Sequence, residues 1–257
     1  MDYQGYLIDL DGTMFRGEEL IDGAKEFIDY IYQQGIPYLF ITNNSTYSRD
    51  MIIQKLHRLG ITVSEENVLT SAMATAKYIR NNYGKARCFV IGEEGLKNAL
   101  IVENMILTDE QCDVVVVGLD RNISYENLAK ACLRIREGAQ FVITNQDAAI
   151  PTERGLLPGN GAIASSIAVS TGVEPLCIGK PETTIMDEAI KMLGVSRKKI
   201  LMIGDNYNTD IMAGLQANID TLMVLTGYST LEDLREVKEQ PTYVMSNLTE
   251  WIHEKKA

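Results

Sequence analysis

Histidine is scarce in this chain: His57 and His253 are the only two in 257 residues. His253 sits in a charged tail and His57 in an amphipathic pattern, so neither stands beside a nucleophile as a Ser-His-Asp or Cys-His enzyme requires. Cysteine is equally sparse. Cys88, Cys112, Cys132 and Cys177 form no CxxC and no paired spacing, which excludes a cysteine zinc site and a disulfide framework and leaves them as small buried hydrophobes. No apolar run approaches the roughly 20 residues of a membrane span. Positive charge is in deficit, with 24 Lys+Arg against 35 Asp+Glu, a net charge of −11 and a pI near 4.8. Such a surface repels a phosphate backbone and an anionic bilayer, so neither nucleic acid nor membrane is an expected partner. The opening Met1-Asp2-Tyr3-Gln4-Gly5 has no basic segment before the first apolar run, hence no signal peptide is read and a cytoplasmic location is expected. Any chemistry must run on carboxylates and lysine, with or without a metal.

The chain does have a regular alternation. Short apolar runs at 6–9, 37–42, 114–118, 141–144, 200–204 and 221–225 read as buried strands, and amphipathic stretches at 23–34, 49–59, 71–83, 125–137, 181–193, 209–217 and 231–238 read as helices. Strands regularly followed by helices predict an α/β fold with a mostly parallel sheet. Turn-prone stretches at 81–84 and 172–179 bracket a middle segment, 84–177, with its own α/β pattern. Residues 1–83 plus 178–257 then form one core together.

Polar clusters stand where the apolar runs stop, and ligands of parallel sheets sit at the carboxyl ends of the strands. Asp9-Leu10-Asp11-Gly12-Thr13 follows the first run and Thr42-Asn43-Asn44-Ser45 the second. Gly179-Lys180-Pro181-Glu182 opens a helix, and Gly204-Asp205-Asn206-Tyr207-Asn208-Thr209-Asp210 follows a late strand. Gly12 lets the chain leave its strand at once, so that Asp9 and Asp11 both reach a ligand, and Thr13 can cap the next segment. A calcium loop is excluded because its sixth position holds Met14 rather than glycine. Asp205 and Asp210 bring further acids to the same sheet edge. Unit charges ~4 Å apart repel by about 4 kcal/mol at an effective dielectric of 20, so the group asks for a cation. Oxygen donors without histidine or cysteine select Mg²⁺. The Thr42 hydroxyl, the Asn43 and Asn44 amides and the Lys180 ammonium complete a phosphate site. Singly, these are a strand-closing turn, a strand-end threonine and a solvated lysine; together and in order they are a constellation.

The order Asp9-x-Asp11-Gly12-Thr13, Thr42, Lys180-Pro181 and Gly204-Asp205-x-x-x-Thr209-Asp210 resembles the four motifs of the haloacid dehalogenase superfamily. Asp11-Gly12-Thr13-Met14-Phe15-Arg16-Gly17, Ile41-Thr42-Asn43-Asn44-Ser45 and Thr144-Asn145-Gln146-Asp147 resemble its NagD-like subfamily, with nucleotidase-type, 4-nitrophenylphosphatase-like and pyridoxal-phosphatase-like members. The resemblance implies a Rossmann-like parallel-sheet core (HAD-like) with an inserted α/β cap domain. Asp9 and Thr42 are too close in sequence to enclose a domain, so the cap falls between Thr42 and Lys180, at 84–177.

The resemblance also implies an activity, Mg²⁺-dependent phosphatase chemistry. Asp9 is the nucleophile that forms an aspartyl-phosphate, and Asp11 is the general acid and then the base. Mg²⁺ is held by Asp9, Asp205 and the backbone carbonyl of Asp11. Thr42, the Asn43 amide and Lys180 hold phosphate oxygens, and Asp210 orients from outside the metal ligands. Gly12, Asn43 and Asn44 line the substrate site, while Asn145 and Asp147 of the cap reach the leaving group. Asp11 marks a phosphatase, since ATPase relatives carry threonine there and dehalogenases lack the acid. The expected substrate is a small phosphorylated metabolite, such as a nucleotide or sugar phosphate, and a homodimer is compatible with the sequence. A receiver-type module with a stable phospho-aspartate, or a non-catalytic phosphate-binding protein, fits parts of the same pattern; turnover of an aryl phosphate separates them.

Overall fold

The computed structural model describes residues 3–152 and 154–256. Two compact units emerge from the packing. The first takes the chain up to Thr42, then Asp50–Leu69, then everything from Lys180 onward; the second takes Asn43–Arg49 and Thr70–Gly179.

The first unit is built on a six-stranded sheet in the order Tyr243–Met245, Asp220–Val224, Ile200–Gly204, Gly5–Ile8, Tyr38–Thr42, Val68–Thr70. Gly5–Ile8 runs parallel to both of its neighbours, with Ile8 level with Ile203 on one side and Phe40 on the other. Asp220–Val224 and Tyr243–Met245 extend the sheet in parallel. Every residue of Gly5–Ile8, Tyr38–Thr42 and Ile200–Gly204 is buried, as a parallel sheet covered on both faces demands, and this is why these runs show no polar alternation. Helix Ala24–Gln33 packs with Phe27, Ile28 and Ile31 inward, at the three- and four-residue spacing of one helical face. Phe27 meets Tyr6 of the central strand edge-on, ring centroids 5.3 Å apart. Helix Thr183–Leu193 buries Ile185, Met186 and Ala189 in the same manner, and Gly194 ends it in the left-handed conformation. The chain order moves outward from Gly5–Ile8 to Tyr38–Thr42 and Val68–Thr70, then returns to the opposite flank with Ile200–Gly204. That reversal is the topological switch point at which α/β sheets bind ligands.

The second unit carries a five-stranded parallel sheet in the order Leu176–Cys177, Gln140–Ile143, Val114–Val117, Arg87–Ile91, Ile106–Leu107. Phe89, Ile91, Val115, Val117, Phe141 and Ile143 form its core with Ile135 and Ile167 from the covering helices Tyr125–Arg136 and Asn160–Thr171. An antiparallel hairpin, Ala149–Thr152 with Gly155–Pro158, completes it. Cys88, Cys132 and Cys177 are buried, and none of the four cysteines is in a disulfide.

Several expectations shift. The boundaries at 84 and 177 move to 70 and 179, because helix Ser71–Tyr83 packs on helix Glu94–Val102 and Leu176–Cys177 pairs within the second sheet. The short segment Asn43–Arg49 also joins the second unit. The helix expected over 231–238 is one tight turn, Asp233–Arg235. Leu231 of that stretch is exposed and Leu234 alone is buried, too little apolar face to hold a longer helix. The stretch 209–217 opens as a wide π turn, Tyr207–Ile211, before helix Met212–Gln216. Strand Arg87–Ile91 and helices Glu94–Val102, Asn160–Thr171 and Leu248–Lys256 are additions to the elements expected from the pattern. Replacing the fully buried Phe27 by alanine is expected to cost about 3–5 kcal/mol. Urea unfolding checks this; a loss below about 1 kcal/mol would show that Phe27 does not anchor its helix to the sheet.

Candidate active site

Gly5–Ile8, Tyr38–Thr42 and Ile200–Gly204 are adjacent and parallel, so Asp9, Thr42 and Asp205 leave the sheet at one edge. Past Asp9 the chain folds back sharply: the Leu10 carbonyl accepts from the backbone N–H groups of Thr13, Met14 and Phe15. Gly12 makes this turn with φ at +89°, and a β-carbon there would overlap the Asp205 carboxylate. Gly12, expected at the substrate site, thus gives the Asp205 carboxylate room to approach. Thr13 donates to Asp205 Oδ1 at 3.1 Å, rather than capping a segment of its own. Asp205 Oδ2 accepts from the Tyr228 N–H at 2.7 Å, and Gly227 leaves room for that approach. Thr226 ties this second loop back by donating to the Gly12 carbonyl at 2.7 Å. The π turn at Tyr207–Ile211 brings Asp210 back against Gly204, where the Asn206 N–H donates to its Oδ2 at 3.0 Å.

Lys180 gathers these groups. Its ammonium donates to Asp9 Oδ1 at 2.5 Å, to Asp210 Oδ1 at 2.7 Å and to the Ile41 carbonyl at 3.0 Å, and the residue is 2% exposed. One carboxylate oxygen each from Asp9, Asp205 and Asp210 lie within 4.8 Å of one another. Burial alone would lower the Lys180 pKa, but the charges and hydrogen bonds of Asp210 and Asp9 raise it above its ordinary value. Burial pushes the Asp9 carboxyl well above the usual carboxylate range, with repulsion from Asp210 adding to it and Lys180 opposing it. Asp205 is pushed up to about 6 by burial and by Asp210, against the Tyr228 N–H and the Thr13 hydroxyl. Three acids against one ammonium leave an excess of negative charge among hard oxygen donors. That donor set suits Mg²⁺.

Asp9, Lys180, Asp205 and Asp210 thus come together as expected, with a carboxylate oxygen of Asp210 within 4.8 Å of those of Asp9 and Asp205. The Asp11 side chain is not part of that group. It keeps open surface, yet protein atoms crowd it, and this desolvation raises its carboxyl pKa while Lys55 and Lys180 hold it down. Thr42 is buried at its strand end. The remaining expected residues belong to the second unit. Asn44, expected to line the substrate site, shapes the turn with its Oδ1, which accepts from the N–H and hydroxyl of Thr46 and from the Tyr47 N–H. Asn145 is 4% exposed: its amide donates to the Asn43 carbonyl and Thr144 Oγ1, and its Oδ1 accepts from the Asp147 N–H. Asn145, expected to reach a leaving group, is thus buried and engaged with Asn43, Thr144 and Asp147. Asp147 is half-buried and accepts from Asn43 Nδ2. Sequence reasoning missed Thr226-Gly227-Tyr228, although a Thr-Gly pair just after a buried strand at the same sheet edge was a usable signal. Lys55 gave none: a lone lysine on an amphipathic helix reads as solvated, yet it is 8% exposed, with its ammonium 3.9 Å from the Phe15 ring centre.

With this geometry in place, the chain can be compared with known proteins. Residues 6–104 match the family model for haloacid dehalogenase-like hydrolases, and residues 177–251 match that for HAD-hydrolase-like proteins. The 5'-nucleotidase YutF of Bacillus subtilis (strain 168) is 50% identical over 250 residues, covering 97% of this chain and 98% of that protein. The acid sugar phosphatase of Staphylococcus aureus (strain USA300) is 49% identical over 253 residues, 98% of each. Among solved structures, a double mutant of the thermostable NPPase from Geobacillus stearothermophilus superposes with a TM-score of 0.92 at 49% identity, over 97% of this chain and 98% of that one.

The acid group makes a linked prediction about cations and pH. Because the folded-state pKa of Asp205 lies at about 6, above the ordinary 3.8, the folded protein holds a proton that the unfolded chain has released. The contribution of this group to stability therefore falls as pH rises from about 4 to about 6. A divalent cation relieves that loss and competes with the proton. Mg²⁺ added to chelator-treated protein is expected to raise the melting temperature at pH 7.5 and to raise it progressively less toward pH 5. A shift of equal size at both pH values would show that the cation does not bind at these carboxylates.

Proposed function

Since this chain belongs to the haloacid dehalogenase-like hydrolase family, in its NagD-like branch, we propose that it hydrolyses a small phosphate monoester with Asp9 as nucleophile, Asp11 as proton carrier and Mg²⁺ as cofactor. The observation that carries the reading is the buried contact of Lys180 with Asp9 and Asp210 inside the three-carboxylate group. The reaction class is hydrolysis of phosphate monoesters. The names of the relatives, a 5'-nucleotidase and an acid sugar phosphatase, put nucleotides and sugar phosphates first among candidate substrates.

In the first step an Asp9 oxygen attacks phosphorus as the bond to the leaving oxygen breaks, giving an aspartyl-phosphate and the free alcohol. Asp11 delivers the proton to that leaving oxygen. Its raised pKa favours the protonated form this requires. In the second step Asp11, now a carboxylate, takes a proton from water as the water oxygen attacks phosphorus, releasing phosphate and restoring Asp9. Lys180, the Thr42 hydroxyl and the Asn43 N–H, joined to Thr42 by the peptide bond, hold the phosphate oxygens. Asp9, Asp205 and the Asp11 carbonyl would hold Mg²⁺, with Asp210 beside them; there it would offset negative charge as two anions approach. The chain crosses into the second unit directly after Thr42 and out of it directly before Lys180, which supports reading that unit as the inserted domain that sets substrate specificity. No helix among the described residues is long and apolar enough to cross a membrane.

Asp9→Asn is expected to abolish p-nitrophenyl phosphate turnover while leaving the circular dichroism unchanged, and EDTA is expected to silence the wild type until Mg²⁺ is restored. Turnover by Asp9→Asn above that of the chelated enzyme would remove Asp9 as nucleophile. Asp11→Asn is expected to slow turnover by about 10²–10⁴-fold, the range for losing general acid–base help. The loss should be greater for an alkyl phosphate than for p-nitrophenyl phosphate, whose leaving group needs little protonation. Equal losses on the two substrates would count against Asp11 as the acid.

A further inference from the structure

The Thr144-Asn145-Gln146-Asp147 turn reads in the sequence as a contact to the leaving group, and its bonds in the structure assign it another task. We propose that this turn is a positioning clamp: it locks Asn43 and Gly179, the residues peptide-bonded to Thr42 and Lys180, and does not select the substrate. The inference rests on the proposed phosphate-holding role of Thr42, Asn43 and Lys180.

Each half of Asn43 is held. Its carbonyl accepts from Asn145 Nδ2 at 2.9 Å and from Ser71 Oγ at 2.8 Å. Its side-chain amide donates to Asp147 Oδ1 and Oδ2 at 3.2 and 3.4 Å. Gly179 is held by the same turn, its N–H donating to the Thr144 carbonyl at 2.9 Å. It lies so close that a β-carbon would sit 2.7 Å from Asn43 Oδ1 and 3.2 Å from Asn145 Cβ. The turn is braced in its own right. Asn145 Oδ1 accepts from the Asp147 N–H at 3.2 Å, and Asn160 donates to the Asn145 carbonyl at 2.8 Å and to the Val117 carbonyl at 3.2 Å. Ser71, Asn145 and Asn160 are 0%, 4% and 1% exposed, which leaves them no surface with which to recognise a substrate. Hydrogen bonds buried this deeply fix backbone position, because leaving such groups unpaired is costly.

A clamp and a specificity loop respond differently to mutation. A displacement of about 1 Å at a phosphate-holding group can cost on the order of 10²-fold in rate, whatever is attached to the phosphate. Asn145→Ala and Asp147→Ala are therefore expected to lower kcat/KM for p-nitrophenyl phosphate, a nucleoside monophosphate and a sugar phosphate by one common factor, about 10–100-fold. The inhibition constant of inorganic phosphate should rise alongside, and the substrate ranking should stay that of the wild type. Asp147→Asn keeps an oxygen to accept from Asn43 and should recover most of the loss. Ser71→Ala, at a position with no exposed surface, should shift all substrates in the same direction. Folded fraction at the assay temperature is measured by circular dichroism for each variant, and should Asn145→Ala fail to fold, the Ser71 and Asp147 variants decide. A changed substrate ranking with phosphate inhibition intact would overturn the clamp, as would wild-type rates in Ser71→Ala and Asp147→Ala together. Failure of the underlying reading looks different: the wild type itself would show neither turnover nor inhibition by phosphate.

Discussion

The Lys180 ammonium lies 171 residues along the chain from Asp9 and 30 from Asp210, yet it bonds to both in a place water hardly reaches. Removing these charges from water is expensive, and their attraction repays the cost only when geometry and hydrogen bonding are nearly complete. Much of the first unit can be understood as meeting that condition. The parallel sheet sets three strand ends side by side, Gly12 and Gly227 clear space around Asp205, and the π turn at Tyr207–Ile211 returns Asp210 to the group. The Ile41 carbonyl gives the ammonium a third acceptor. The group remains short of positive charge, and this is the physical basis for expecting a cation among these acids.

The acids stand in different surroundings. Asp210 is bonded to Lys180 and to the Asn206 N–H. Asp205 spends both oxygens on Thr13 and Tyr228 and is thereby held fixed. Asp11 stands apart from them with open surface and a raised pKa, the combination suited to carrying a proton. Four residues of one type are thus distinguished by hydrogen bonds and exposure, not by their identity, and the proposed roles follow that difference.

The second unit repeats the same economy with uncharged groups. Asn43, Asn44 and Asn145 are interchangeable as letters in a sequence, and short amides after strands suggest ligand contacts equally well at all three. In the structure Asn44 shapes a turn, Asn145 braces one, and Asn43 receives the bonds of both Ser71 and Asn145. An amide oriented by buried partners is a better tool for holding a neighbour than for sampling substrates in solution.

The sequence by itself determined the α/β class, the strands that carry Asp9, Thr42 and Asp205, and the types of group gathered for the chemistry. These depend on local apolar runs, on turn residues and on motif order, all readable along the chain. It did not determine where the second unit begins, since the packing of helix Ser71–Tyr83 on Glu94–Val102 decides that and is not written along the chain. Nor did it reveal Lys55 as buried, Thr13 and Tyr228 as holders of Asp205, or Asn145 as a brace. Each of those facts is a pairing between residues far apart in sequence, and such pairings exist only once strand order and register have placed two distant segments within hydrogen-bond reach.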